Sequence, residues 1–344
     1  MGKKQNMLSI WKKKTIWLIA VPTGLILVAA ILLYNPIRTL SSLQKVDEHL
    51  YVMTYQGDYG FDQFMKTGLQ VSPKAASRPA QEADQACSCF ATSNQAGNPE
   101  FGRNFDWSTN TALLLFTDPP NGYASVSMLD VLYLDFLSGS VEIDSLEHAL
   151  SLLEAPYIPF DGMNEYGLAV ALMAVPHAEG GNDPQKVTIG SLHAIRLVLD
   201  HAKNVDEAIA LLQDYNIDFS GGPPVHYLIA DPAGNSAVLE FLEDEMSIVQ
   251  NTEPWQVATN FILSGKTPEQ ATASCWRYKT AYESLNQKKG LLSQNEAMTL
   301  LDQISQGNTK WSVTYGMISG DIQVVMQKEY EEVLQFRLEM KTAK

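Results

Sequence analysis

Cysteine is scarce in this chain: Cys87, Cys89 and Cys275 are the three among 344 residues. Three thiols cannot build a disulfide scaffold in an oxidising compartment, and an odd one is left over. A Cys89–Cys275 bridge with Cys87 free is arithmetically open. One Cys-x-Cys pair plus a distant cysteine also lacks zinc-ligand spacing, so a zinc site is not expected. Gly-rich phosphate loops and metal-spaced histidines are missing as well, and no metal or organic cofactor is expected. Positive charge is in short supply, 24 Lys and Arg against 39 Asp and Glu. Such a balance disfavours nucleic acid and anionic headgroups as ligands and favours solubility. No internal repeat interrupts the sequence.

What basic charge there is gathers at the start. Lys3, Lys4, Lys12, Lys13, Lys14 and Arg38 face no acidic residue within the first forty positions, which leaves the rest at 18 basic against 39 acidic. Five of those lysines precede an uncharged run of twenty residues, 15–34. At about 1.5 Å rise per residue a helix there spans roughly 30 Å, the hydrocarbon thickness of a bilayer. Pro22 and Gly24 are tolerated in membrane helices. A cleaved signal peptide is the competing reading, but its apolar core is shorter and ends in small residues. This run ends Leu32-Leu33-Tyr34-Asn35-Pro36. The expectation is therefore a cytoplasmic basic stretch at 1–14, a single-pass signal anchor at 15–34 and everything beyond on the extracytoplasmic side of the cell membrane.

Downstream, Leu50-Tyr51-Val52-Met53-Thr54-Tyr55 has strand composition, and 59–65 predicts a short helix. Residues 72–86 are rich in Ala, Pro, Ser and polar types, which predicts a mobile linker ending at Cys87. Beyond it strands are predicted at 167–172, 226–230, 236–241 and 311–315, with Asp231-Pro232-Ala233-Gly234-Asn235 as a hairpin turn. Apolar residues at helical spacing predict helices over 189–201, 205–215 and 295–304. Thr267-Pro268-Glu269-Gln270 predicts a capped helix start. Antiparallel strands with a few helices point to stacked layers rather than a doubly wound sheet.

Cys87 is the candidate nucleophile. A thiol attacks an amide best as thiolate and needs a base. Cleavage between Ala86 and Cys87 would create an α-amine of pKa about 7.7–8.0 on the nucleophile itself. A Cys–His pair with His49, His148, His177, His193, His201 or His226 is the alternative, though none of these lies in a recognisable motif. In Gly102-Arg103-Asn104-Phe105-Asp106, Arg103 could hold the thiolate charge and Asp106 could orient the ammonium. On a regular strand the two point to opposite faces, so converging them needs a bulge or a strand end. Their other reading is an ordinary surface ion pair.

At these residues the chain resembles the choloylglycine hydrolase and acid ceramidase superfamily of linear-amide hydrolases. Cys87-Ser88-Cys89-Phe90 is similar to that superfamily's Cys-Thr-x-apolar start, and 102–106 to its Gly-Arg-Asn-x-Asp strand. Asp161-Gly162-Met163-Asn164-Glu165-Tyr166-Gly167-Leu168 resembles its Gly-Met-Asn-Glu-Lys-Gly-Leu motif, with Tyr166 where Lys is usual. Thr259-Asn260 resembles a Thr-Asn whose amide helps form the oxyanion hole. Arg277 resembles a later supporting Arg, and Trp311-Ser312-Val313-Thr314-Tyr315 also matches. The resemblance implies an α+β, four-layer αββα N-terminal nucleophile sandwich, here preceded by one transmembrane helix. It implies catalytic roles for Cys87, Arg103, Asp106, Asn260 and Arg277.

Two departures stand out. Met173-Ala174 occupies the place where bile-salt hydrolases carry an oxyanion-hole Asn, and 86 residues precede the cysteine. The second feature resembles the acid ceramidase branch, where the propeptide stays bound. It implies a propeptide segment 35–86, a catalytic domain 87–344, and noncovalent retention of 1–86, with the 50–55 strand adding to a sheet edge. The expected activity is hydrolysis of a small-molecule, non-peptide acyl amide. Acyl transfer and a non-catalytic, membrane-tethered binding protein are the alternatives. Substrate identity and oligomeric state are not legible.

Overall fold

Alternation along two strands decides how the layers stack. In the computed structural model, which describes residue 30 and residues 32–68, 86–96, 98–107, 111–134, 143 and 145–341, the strand Glu100–Asp106 is buried at every position. Arg103 donates to Leu172 O, and Phe105 packs edge-on against Phe160, both toward a second sheet. Between them, Asn104 points the other way and donates to Leu301 O of the helix Gln294–Gln303 at 2.7 Å. The strand Asp161–Asn164 mirrors this. Asp161 accepts from Trp311 and Tyr315 of the first sheet, while a Cβ on Gly162 would lie 2.9 Å from Leu199 Cδ1 of the helix Ser191–His201. Each sheet thus meets the other on one face and helices on its opposite face, in the order helix, sheet, sheet, helix.

The strands in chain order begin with β1 (Gln44–Asp47), β2 (Leu50–Thr54), β3 (Ala86–Ala91), β4 (Glu100–Asp106), β5 (Ala112–Thr117) and β6 (Ser125–Asp130). Next come β7 (Asp161–Asn164), β8 (Ala169–Ala174), β9 (Val187–Gly190), β10 (Tyr215–Asp218), β11 (Val225–Ala230) and β12 (Ser236–Leu242). The last are β13 (Glu245–Gln250), β14 (Gln256–Ala258), β15 (Thr309–Gly316), β16 (Asp321–Met326) and β17 (Leu334–Arg337). The larger sheet runs β1-β2-β5-β6-β7-β8-β11-β12-β13, and the smaller runs β14-β3-β4-β15-β16-β17. Among their described pairings only β2–β5 is parallel.

The expected strand at 50–55 is β2, and it does add to a sheet, seated between β1 and β5. The predicted hairpin at 231–235 joins β11 to β12. Thr267 caps its helix as expected, accepting from Gln270 N while Gln270 returns a bond to Thr267 N. The helix predicted over 205–215 is shorter: it ends at Gln213, and Tyr215 opens β10. β10 pairs in parallel with β9, and neither was foreseen, because four-residue strands carry too little alternation to read.

Of the expected anchor 15–34, only residues 30 and 32–34 are described, where Leu32, Leu33 and Tyr34 are exposed on a helix running to residue 41. Among the described residues no helix is long and apolar enough to cross a membrane. The linker 72–86 lies outside the described residues except for Ala86, which begins β3.

Candidate active site

Register places the candidate nucleophile. β3 pairs antiparallel with β4 so that Cys87 lies opposite Phe105, and Cys89 opposite Arg103. Cys87, Cys89, Arg103 and Phe105 therefore share the face between the sheets. The Arg103 guanidinium sits 3.7 Å from Cys87 Sγ and 3.8 Å from Cys89 Sγ. Its Nε lies 2.6 Å from Asp161 Oδ2, and all four side chains are fully buried. Tyr315 Oη and Trp311 Nε1 donate to the same carboxylate at 2.6 and 3.2 Å.

Burial pushes the Cys87 thiol up, and the Arg103 charge pulls it down. Net, the thiol of the intact chain is held above its ordinary range, so it is protonated at neutral pH. Burial likewise pushes the Asp161 carboxyl up, against Arg103, Tyr315 and Trp311.

Asp106 points to the other face of β4, as strand geometry requires, at the end where the β4–β15 register shifts. Its carboxylate accepts from Thr309 Oγ1 at 2.5 Å, Gln306 Nε2 at 2.9 Å and Arg277 Nη1 at 3.5 Å. Arg277, in the helix Trp276–Lys288, donates to Cys87 O at 2.5 Å and to Asn260 Oδ1 at 2.8 Å. Asn260 follows β14, the strand beside β3. Its Oδ1 accepts the Cys87 backbone N–H at 2.7 Å, and its Nδ2 donates to Ala174 O at 2.7 Å. The other four expected residues thus converge on Cys87, but they reach different atoms. Arg103 meets the sulfur, Asn260 the backbone nitrogen and Arg277 the backbone carbonyl, while Asp106 reaches that carbonyl's donor.

The motif at 161–168 splits into separate jobs. Asn164 donates to Leu199 O and Ala202 O at the end of the helix Ser191–His201, and accepts from Tyr166 N and Leu168 N. Gly167 turns the chain at φ +80°, where a Cβ would strike Met317 O at 2.0 Å. Tyr166 packs edge-on against Tyr123, with Lys203 and Lys341 over its ring.

Sequence reasoning missed three site-supporting residues. Asp161 lies within the 161–168 motif, but only the packing of the two sheets makes it the partner of Arg103. His226 and Glu240 form a fully buried pair, Nδ1 to Oε1 at 3.1 Å. Here a signal existed: counting back from the 231–235 turn puts the two opposite each other on a hairpin. No group of three or more His, Cys, Asp or Glu among the described residues could hold a metal.

The model of the linear amide C–N hydrolases of the choloylglycine hydrolase family matches residues 87–263, starting at Cys87. The chain belongs to that family. It is similar to a bile salt hydrolase/transferase of Lactiplantibacillus plantarum, 29% identical over 186 residues, which covers 50% of this chain and 52% of that one. It is also similar to an uncharacterized protein of Paramecium bursaria Chlorella virus 1, 33% identical over 109 residues, 29% of this chain and 38% of the other. The matches thus span about half or less of these relatives. Among solved structures, a mutant of the conjugated bile acid hydrolase of Clostridium perfringens superimposes with TM-score 0.52 at 16% identity, over 73% of this chain and 92% of that one. The penicillin V acylase of Agrobacterium tumefaciens does so with TM-score 0.50 at 16% identity, over 70% and 83%. At that identity the likeness shows a shared α+β fold. In this choloylglycine hydrolase family member, the family match and the buried arginine cradle begin at the same cysteine.

Proposed function

We propose that this family member is an amidohydrolase of linear, non-peptide amides, using Cys87 as an N-terminal nucleophile released by cleavage after Ala86. The observation that carries the reading is the double grip on Cys87, Arg103 at its sulfur and Asn260 Oδ1 at its nitrogen. In maturation the Cys87 sulfur attacks the Ala86 carbonyl carbon, the Ala86–Cys87 C–N bond breaks, and the nitrogen takes up the thiol proton. Water then hydrolyses the thioester, releasing the Ala86 carboxylate and a free α-amine. That amine would sit where Cys87 N now lies, 2.7 Å from Asn260 Oδ1.

In turnover the α-amine takes the thiol proton as sulfur attacks the acyl carbonyl, and it returns the proton to the departing amine. Water cleaves the resulting thioester. The Asn260 amide carries a second Nδ2–H besides the one on Ala174 O, and this is the donor available to the oxyanion. One such donor typically contributes about 3–4 kcal/mol. Transfer of the acyl group to a second amine is the alternative outcome, favoured by the hydrolase/transferase name of the Lactiplantibacillus relative.

The enzyme works outside the cytoplasm, held at the cell membrane by residues 15–34, in line with the lysines before that run. Residues 32–68 stay bound to the catalytic body after cleavage through the buried contacts of β2 and Tyr59. The test is intact mass and N-terminal sequencing of the purified chain, with penicillin V and a glycine-conjugated bile acid as substrates. A fragment starting at Cys87, absent in Cys87→Ala together with all turnover, is the expected result. An uncut wild-type chain, or substantial turnover by Cys87→Ala, would overturn the reading.

A further inference from the structure

Asn260 is held from outside the catalytic cluster. His226 on β11 sends Nε2 to Thr259 O at 2.8 Å. The same carbonyl accepts Phe261 N–H at 3.0 Å, closing a tight turn with Asn260 at its apex. Glu240 on β12 accepts Leu263 N–H on Oε1 at 2.6 Å and Ser264 N–H on Oε2 at 2.8 Å. One buried pair on a single hairpin therefore clamps the loop on both sides of Asn260.

The protons follow from the partners. Thr259 O can only accept, so His226 Nε2 must carry a hydrogen. His226 Nδ1 faces Glu240 Oε1 at 3.1 Å. Burial pushes the Glu240 carboxyl up, yet the donors from His226, Ser264 and Leu263 outweigh it and hold it below its ordinary range. The clamp therefore joins the His226 ring to the Glu240 carboxylate through one buried contact of 3.1 Å.

We infer that His226 and Glu240 form a positioning unit for Asn260, fixing the amide that faces Cys87 N and the reacting carbonyl. The inference rests on the amidase reading for its kinetic consequence, but not for its structural one. Misplacing a catalytic group by about 1 Å can cost roughly a hundredfold in rate. Neither residue touches Cys87 in any hydrogen bond of the structure, so their effect must pass through the 259–264 loop.

The test uses the full-length chain with penicillin V and a glycine-conjugated bile acid. His226→Leu and Glu240→Gln are expected to lower kcat roughly tenfold to a hundredfold with KM little changed. His226→Gln, which keeps a donor toward Thr259 O, is expected to recover most of that loss. In an Asn260→Ala background, His226→Leu should cost almost nothing more, the mark of two residues acting as one. An equal loss in both backgrounds would overturn the inference. A second arm needs no activity: the side-chain amide resonance of Asn260, identified by its disappearance in Asn260→Ser. It should shift and exchange faster with water in His226→Leu and Glu240→Gln while the remaining asparagine amides stay in place. An unchanged Asn260 resonance in folded variants would overturn the positioning role, even if the chain hydrolysed neither substrate. Failure of the amidase reading alone would instead leave an inactive chain whose Asn260 signal still responds.

Discussion

Arg103 shows how much one residue decides at this site. It is fully buried, and among the described residues its carboxylate contact is Asp161, with two thiols and a backbone carbonyl filling the remaining space. Removing one partner of a buried pair strands the other charge, which typically costs about 3–5 kcal/mol. Arg103→Met should therefore lower the unfolding free energy read from urea titration by about 3–5 kcal/mol, and adding Asp161→Asn should recover part of it. Without the guanidinium the Cys87 thiol loses the charge that pulls it down, so alkylation by iodoacetamide at neutral pH should slow. An Arg103→Met chain as stable and as reactive as the parent would remove Arg103 from the environment of Cys87. Arg103 was legible from its motif, whereas its partner was not. Asp161 lies 58 residues later in the chain, and only the face-to-face packing of β4 and β7 brings the two together.

At the scale of elements, the 161–168 motif turns out to serve the fold. Asn164 ties the β7–β8 turn to the carbonyls that end the helix Ser191–His201, four bonds from one buried side chain. Leaving such groups unpaired costs about 1–3 kcal/mol. Asn164→Ala should lower thermal stability accordingly while leaving the proposed cleavage before Cys87 as it is in the parent chain, and a folded variant that loses it would contradict this. The same helix carries His193, which packs 4.5 Å from Phe64 between ring centroids and accepts Gly190 N–H on Nδ1. Burial pushes its pKa down to about 4. Between the ordinary value of 6.5 and 4 the unfolded chain binds a proton that the folded chain does not. Stability should therefore fall as pH falls through that window, by about 1.4 kcal/mol per pH unit. Urea midpoints at pH 7 and pH 5 would show the slope, and His193→Gln should flatten it.

For the molecule as a whole, residues 32–68 ahead of Cys87 are built into the fold. β2 pairs with five consecutive positions of β5. Tyr59 Oη donates to Asp200 at 2.6 Å, and Asp200 pairs with the buried Arg196 at 2.9 Å. His201 meets Asp62 at 3.0 Å, and Tyr157 Oη donates to Tyr59 O at 2.7 Å. Under the proposed cleavage before Cys87, the two pieces should comigrate in gel filtration and separate only in denaturant. Tyr59→Phe, which deletes a bond to a charged group worth about 1.5–3 kcal/mol, should release the N-terminal piece at lower urea. Spontaneous separation in native buffer would refute retention. Loss of this piece would also bare the β5 edge, so the isolated 87–344 fragment should aggregate.

The sequence by itself pointed to Cys87 as the candidate nucleophile, to several of the strands and helices, and to four residues that gather around that cysteine. Those follow from local rules: a two-residue alternation, a helix cap, a turn-forming Asp-Pro-Ala-Gly-Asn and a family motif read residue by residue. It also carried the charge imbalance that sets the N-terminus apart. Only the tertiary structure decided which atoms each site residue reaches. Arg103 and Asp106 face opposite sides of one strand, so their roles separate into a partner for sulfur and a support for Arg277. The Asp161 partner and the Asn164 cap depend on which strand lies above which helix, a long-range choice that no local pattern records. The His226–Glu240 clamp lies between these extremes. Its pairing could be counted from a hairpin turn, but its grip on the Asn260 loop exists because β14 returns beside β3.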